Sequence, residues 1–179
     1  MALTCLVSAG MENTCKTNSP GLFSIFITNY PSGVTSAADF VTYDVEGKIT
    51  AFSGATITTP LEFYKYKPAK NSSTFDQTFN VSIENGVAGV EQKITAVFPV
   101  MTQERSEQIS NLIAGNFLII ALDRNNRYWV LGLNDSVETS GGSSSTGKGG
   151  TDLAGYTLEL SAWEAKLAIE CEASAIVLA

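Results

Sequence analysis

Histidine is absent from the chain. With it go the usual general base, the commonest zinc ligand and the side chain that titrates near neutrality. A hydrolase would have to work with carboxylates, a Ser-Lys pair or cysteine alone, so the expectation is a protein that is not an enzyme. Charge is scarce as well. Charged residues make up 16% of the 179 positions, against about 25% in soluble domains at large. A low-charge chain rich in Thr, Ser, Gly and Val usually hides surface against copies of itself. A β-rich monomer with a Ser/Thr surface has the same composition, and the count alone leaves both open. Basic residues are the rarer sign: 11 Lys and Arg stand against 18 Asp and Glu, a net charge of −7. Tight wrapping of nucleic acid needs many phosphate contacts from Lys and Arg, so that role is disfavoured.

Cysteines are few and odd in number, at Cys5, Cys15 and Cys171, with no CxxC spacing. That argues against a zinc site or a disulfide framework, although Cys5 and Cys15 could bridge if the N-terminal segment folds back. Half-buried reduced thiols are the expected state. The start, Met-Ala-Leu-Thr-Cys, has neither a basic n-region nor an apolar h-region, so no signal peptide is expected. No run approaches the eighteen apolar residues of a membrane span. Asn71 and Asn80, each followed two positions on by Ser, then need not be glycosylation acceptors.

What the chain does have is β-forming sequence, centred on residues 116–133. Two runs rich in Ile, Val, Leu and aromatics, 117–122 and 128–133, flank Asp-Arg-Asn-Asn-Arg. Asn is the best non-glycine residue for positive φ, so this reads as a hairpin in the middle of an antiparallel core. At 179 residues the chain is one domain with arms. Residues 1–21 read as an N-terminal arm ending in the turn signal Asn-Ser-Pro-Gly. A strongly apolar first strand follows over 22–30, then a looser segment to Phe40 and short strands over 41–45 and 48–53 around Glu-Gly. Residues 61–67 form another β run. Residues 74–83 and 91–98 face each other across an Asn-Gly turn, a strong short-range hairpin signal.

Over 102–114 the period changes. Thr102 can N-cap, Glu104 lies in the first turn, and Met101, Ile109, Leu112 and Ile113 share one face. Gly115 stands where a C′ glycine would end the helix. Residues 137–155 are so rich in Gly and Ser that they read as a flexible loop. A strand over 156–162 follows. The end is ambiguous: Ala165, Leu167 and Ile169 suit strand continuation, while the Ala/Glu/Lys content allows a short helix. The apolar tail within 166–179 is expected to pack, on its own chain or on a neighbouring subunit. The fold class expected is therefore mainly β (α+β), an antiparallel β-sandwich or half-barrel over 22–165 with one flanking helix.

No residue stands out for catalysis, cofactor binding or metal binding. Residues 142–149, Gly-Ser-Ser-Ser-Thr-Gly-Lys-Gly, match a phosphate loop until Gly149 replaces the magnesium-binding hydroxyl. The segment also leads into a strand, where a phosphate site needs a helix N-terminus. Asp39, Asp44, Glu46, Glu62, Asp76, Glu84, Glu91, Asp123, Asp135 and Asp152 fall mostly at strand ends and turns. No spacing selects the pair that a glycosidase needs. The Asp-Arg-Asn-Asn run at Asp123 lacks the glycine and glutamate of a calcium loop. Phe63, Tyr64, Tyr66, Tyr128 and Trp129 could form a stacking platform for sugars or single strands. Aromatics interleaved along strands more often serve as core and cross-strand pairs.

The order of these pieces carries a resemblance. A long hairpin has Asn-Ser-Ser before it and Glu-Asn-Gly at its turn, and the helix and the Asp-Arg-Asn-Asn-Arg-Tyr-Trp-Val-Leu-Gly strand pair follow. Then come a Gly/Ser/Thr loop ending Gly-Thr-Asp-Leu-Ala-Gly and the strand Tyr-Thr-Leu-Glu-Leu-Ser. Upstream, Cys-Lys-Thr-Asn-Ser-Pro-Gly runs from Cys15 into a strand ending Thr-Asn-Tyr. Across residues 15–165 this resembles small virion structural proteins of tailed bacteriophages, especially phages and prophages of Bacteroidetes, including crAss-like ones. The resemblance implies a tail-tube-like subunit that forms homo-oligomeric rings, usually hexamers, which stack into a conduit for genomic DNA. Other tail or neck proteins are the implied partners, the virion is the implied location, and no cofactor or membrane is involved. Neck, baseplate and capsid-decoration proteins are the nearest alternatives. A carbohydrate- or host-surface-binding β-sandwich is the alternative from another class.

Overall fold

The structure is a computed structural model that describes residues 19–54, 56–57, 59–82, 84–149 and 152–179. Most of the expected arm, with Cys5 and Cys15, lies outside the described residues. In chain order the strands are β1 (Leu22–Asn29), β2 (Thr42–Tyr43), β3 (Ile49–Ala51), β4 (Glu62–Tyr66), β5 (Thr74–Ser82) and β6 (Val87–Pro99). After helix α1 (Gln103–Ala114) come β7 (Phe117–Asp123), β8 (Tyr128–Leu131), β9 (Glu138–Ser145), β10 (Gly155–Glu164), β11 (Ile169–Cys171) and β12 (Val177–Leu178). They form an eight-stranded sheet, ordered β12-β4-β1-β7-β8-β11-β3-β2, and a four-stranded sheet, ordered β5-β6-β10-β9. The fold is mainly β: a curled half-barrel sheet packed against a smaller one, with a single flanking helix among the described residues.

The hairpin of β7 and β8 occupies the middle of the large sheet, as its apolar runs predict. Its turn is built by Asp123, whose Oδ1 accepts the Asn125 N–H at 2.8 Å and the Arg127 N–H at 2.9 Å. Asn126 takes the positive φ, at 61°. The second expected hairpin pairs β5 with β6 from Thr74↔Thr95 to Ser82↔Val87, with Gly86 at φ 63° in the turn.

Side chains alternate along a strand, yet six consecutive residues of β7, from Phe117 to Leu122, are all buried. The large sheet has a core on each face. On one side Ile25, Ile27, Ile119, Ala121 and Leu131 meet Ile94, Ala96, Leu158 and Leu160 of the small sheet. On the other side Phe26, Leu118, Ile120 and Val130 meet Phe40, Ile49, Phe52 and Phe63, around which the sheet's own margins curl. Each such side chain contributes about 1.5–3 kcal/mol of burial.

Helix α1 begins where expected, with Thr102 Oγ1 accepting the Arg105 N–H at 3.3 Å. Its apolar face is narrower than the sequence suggests. Leu112 is buried and Ile109 packs on the core, whereas Met101 and Ile113 are exposed. The helix plugs one opening of the sandwich and needs only a thin stripe to do so. Gly115 is extended, at φ −106°, so it is no left-handed cap. Glycine is needed there because a Cβ would stand 2.4 Å from Phe117 Cζ.

Two expectations need correction. Residues 138–145 of the supposed flexible loop are strand β9, paired with β10 from Glu138↔Ser161 to Ser145↔Gly155. Gly and Ser have little to pack, but an edge strand needs only a backbone ladder on one side, and β10 provides it. The small residues also allow close approach, since a Cβ on Gly142 would stand 2.6 Å from the Thr157 carbonyl oxygen. The true loop is the stretch after Ser145. The tail, offered to a neighbour as one alternative, packs on its own chain. β11 fits between β8 and β3, β12 runs parallel to β4, and Cys171 and Ala175 are buried in the second core. The domain therefore extends past residue 165 to β12.

Candidate functional site

The feature with the greatest capacity for interaction is the four-stranded sheet. Its core-facing residues are buried, and its other face alternates Thr95, Lys93 and Glu91 on β6 with Glu159, Ser161 and Trp163 on β10. Lys93 and Glu159 form an ion pair at 2.7 Å, and that bond pushes the Lys93 pKa up. Trp163, 46% exposed, lies over the backbone of Gly89, where a Cβ would come within 2.3 Å of its ring. Both margins of this sheet are open: β5 on one side and β9 on the other have a single strand neighbour each.

Two exposed apolar groups occupy opposite ends of the same sheet. Phe79, Val81 and Val87 lie toward the β5–β6 turn. Val100, Met101 and Leu153 lie where β6 ends and β10 begins, with the Val100 N–H donating to the Ala154 carbonyl at 2.8 Å. Sequence reading did not single these residues out. Apolar residues in strands are expected to be inside, and only the register shows that these run past the core.

The sequence-derived candidates are dispersed into structural roles. In the phosphate-loop-like segment Ser143 and Ser145 belong to β9, and the Lys148 and Gly149 N–H groups donate to Asp152 Oδ2 at 3.0 and 2.8 Å. A carboxylate of the same loop thus takes up the donors that a phosphate would need. Those bonds, from Gly149 first and then Lys148, hold the Asp152 carboxyl below its ordinary range. Asp39 accepts N–H groups from Thr35 and Ser36, which lower its pKa, and Asp44 accepts those of Glu46 and Lys48. Among the described residues no three acidic or cysteine side chains converge to hold a metal ion. No helix of the described residues is long and apolar enough to cross a membrane.

The five aromatics form no platform. Phe63 is buried against Phe52, Tyr66 packs on Phe98, Tyr128 on Phe26, and Trp129 Nε1 donates to Asp123 Oδ2 at 3.2 Å. Tyr64 is exposed, beside a 440 Å³ groove lined by Lys65, Lys67 and Arg105 with no carboxylate. The acid that does carry structural weight, buried Glu164, was not among the candidates, because a Glu at the end of an alternating strand reads as solvated. No known protein family, curated protein or solved structure matches the chain.

Proposed function

We propose that this chain is a non-enzymatic virion structural protein of a tailed bacteriophage. Its subunits pair edge to edge into rings, and the rings stack into a tail tube through which DNA passes. The observation that supports this reading most is the pair of open margins, β5 and β9, on one four-stranded sheet. Nine and eight residues long, they are unguarded by proline or lysine within the strands. Such edges aggregate unless something pairs them. Pairing β5 of one copy with β9 of the next satisfies both in a heterologous contact, and a rotation that closes gives a ring. The resemblance to phage tail-tube proteins suggests six copies, and other tail or neck proteins would cap the tube. With a net charge of −7 the subunit suits a passage along which phosphates slide without adhering.

The test is negative-stain electron microscopy beside light scattering across a concentration series. Tubes or stacked rings are the expected result. A species that stays monomeric at every concentration would redirect the reading to a decoration protein that needs a capsid to bind.

A further inference from the structure

The β5–β6 hairpin outruns its own sheet. Glu164, the last residue of β10, pairs with Val90, so beyond that point the hairpin continues as two strands alone. A two-stranded ribbon is marginal in water. This one keeps its core-facing side apolar past the end of the core: Phe79 opposes Val90 and Val81 opposes Ala88, with Phe79 65% and Val81 69% exposed. At the other end of β6 Val100, Met101 and Leu153 stand exposed. Val100 holds φ 71°, a costly conformation for a β-branched residue. It is held there by its N–H bond to Ala154 and by the Arg105 guanidinium, which donates to the Pro99 and Val100 carbonyls.

Charge distinguishes the two ends. Glu84 lies exposed at the ribbon's turn. Arg105 and Lys148 flank the Val100 end, and neither takes part in an ion pair among the described residues. Asp152 is also there, but its carboxylate is occupied by the Lys148 and Gly149 N–H groups. The two ends are separated by the 13 residues of β6, about 40 Å at about 3.3 Å per residue. A surface cannot meet its complement on the same chain at that distance, but it can on a second copy.

We infer that the ribbon of one copy docks on the Val100–Met101–Leu153 surface of another. Phe79 and Val81 cover the apolar patch, and Glu84 approaches Arg105 and Lys148. The contact is heterologous, so it propagates copies end to end along the direction of β6. This rests on the reading of the chain as a self-assembling subunit, and it identifies the axial contact as distinct from the β5–β9 contact within a ring.

The experiment uses Val81→Asp and Met101→Asp in the full chain, with sedimentation velocity, electron microscopy and far-ultraviolet circular dichroism. Both positions are exposed, so the spectra should match the wild type. Each variant alone should lose at least about tenfold in end-to-end association. An equimolar mixture should yield one-to-one pairs, because the intact ribbon of Met101→Asp meets the intact patch of Val81→Asp. Isolated rings from Val81→Asp would support the axial contact and the ring together. Wild-type-like tubes from that variant, or no pairs in the mixture, would overturn the axial contact while leaving the ring reading standing. A wild-type chain that stays monomeric to its solubility limit overturns both.

Discussion

Asn134 grips the carboxylate of Glu164 twice, its backbone N–H at 2.7 Å from Oε1 and its side-chain Nδ2 at 3.0 Å from Oε2. The Asp135 N–H adds a third bond at 3.2 Å, and Asn134 Oδ1 accepts the Ala37 N–H at 3.2 Å. Through this pair the end of β10 in the small sheet is tied to the β8–β9 connection and to the short helical turn at Ala37. Glu164 is 5% exposed and has no cation partner, so N–H dipoles alone compensate its charge. Hydrogen bonds to charged groups contribute about 1.5–3 kcal/mol each in favourable cases, and they are not additive. Glu164→Ala should therefore lower stability by about 2–4 kcal/mol, read as a shifted urea midpoint with an unchanged slope. Asn134→Ala should lose less, and the double variant should lose less than the sum, since the two share the same bonds.

The two-sided burial of β7 makes a second prediction. Leu118 and Ile119 point to opposite faces and are both 0% exposed. In a sheet with one solvated face, one of two adjacent truncations would be nearly silent. Here Leu118→Ala and Ile119→Ala should each cost about 2–5 kcal/mol. Ile113→Ser, on the exposed side of α1, should stay within about 0.5 kcal/mol of wild type. Chemical denaturation of the three variants checks all of this. A silent Leu118→Ala would mean that the second core is not closed.

That doubled core also shows where the sequence could and could not be read. The runs around Asp123 and the Asn-Gly turn at Gly86 announce hairpins through local chemistry, and Thr102 marks the helix start through its own side chain. Such signals act over a few residues. Whether Ile113 faces the core or solvent depends on how the helix rolls against β9, which is a tertiary property. Ser140 and Gly141 carry no apolar pattern at all, and become strand because β10 offers its ladder from 19 residues away. β11 and β12 are too short to declare themselves and are fixed by β8, β3 and β4. The candidate assembly surfaces were hidden for the same reason: exposure of Phe79 and Val81 follows from where β10 stops.

Cys171 supplies a prediction in alkaline solution. Burial, with a smaller contribution from Glu170, pushes its thiol from 9.0 up to about 12. Below pH 9 the thiol is protonated in both folded and unfolded chains, and the folded state keeps its full advantage. Between about 9 and about 12 the unfolded chain releases this proton and the folded chain does not, so stability falls as pH rises, by at most about 1.4 kcal/mol per unit. Tyr30, Tyr43 and Tyr66, all raised chiefly by burial, add to the decline in the same direction above about 10. Cys171→Ala should flatten the slope from pH 9 to 10 specifically, whatever its effect on absolute stability. At pH 8 peptide mapping after thiol alkylation should find Cys171 unmodified in the folded chain.

The edge contact can be attacked without disturbing the fold. Ser143 and Ser145 on β9 are exposed, and their cross-strand neighbours Thr157 and Gly155 carry no charge. Lysine on an edge strand deters a second strand, because docking would strip water from the ammonium group. Ser143→Lys with Ser145→Lys should leave thermal unfolding of the monomer within about 0.5 kcal/mol of wild type, as expected at solvated positions. Lateral pairing of β9 with β5 of a neighbour should fail, so rings should not close. The ribbon at Phe79 and Val81 and the patch at Val100 are untouched, so end-to-end contact should persist and give thin strings of single subunits in place of tubes. Tubes of wild-type width from the double-lysine variant would show that β9 is not the lateral edge, and the contact would have to be sought elsewhere on the subunit.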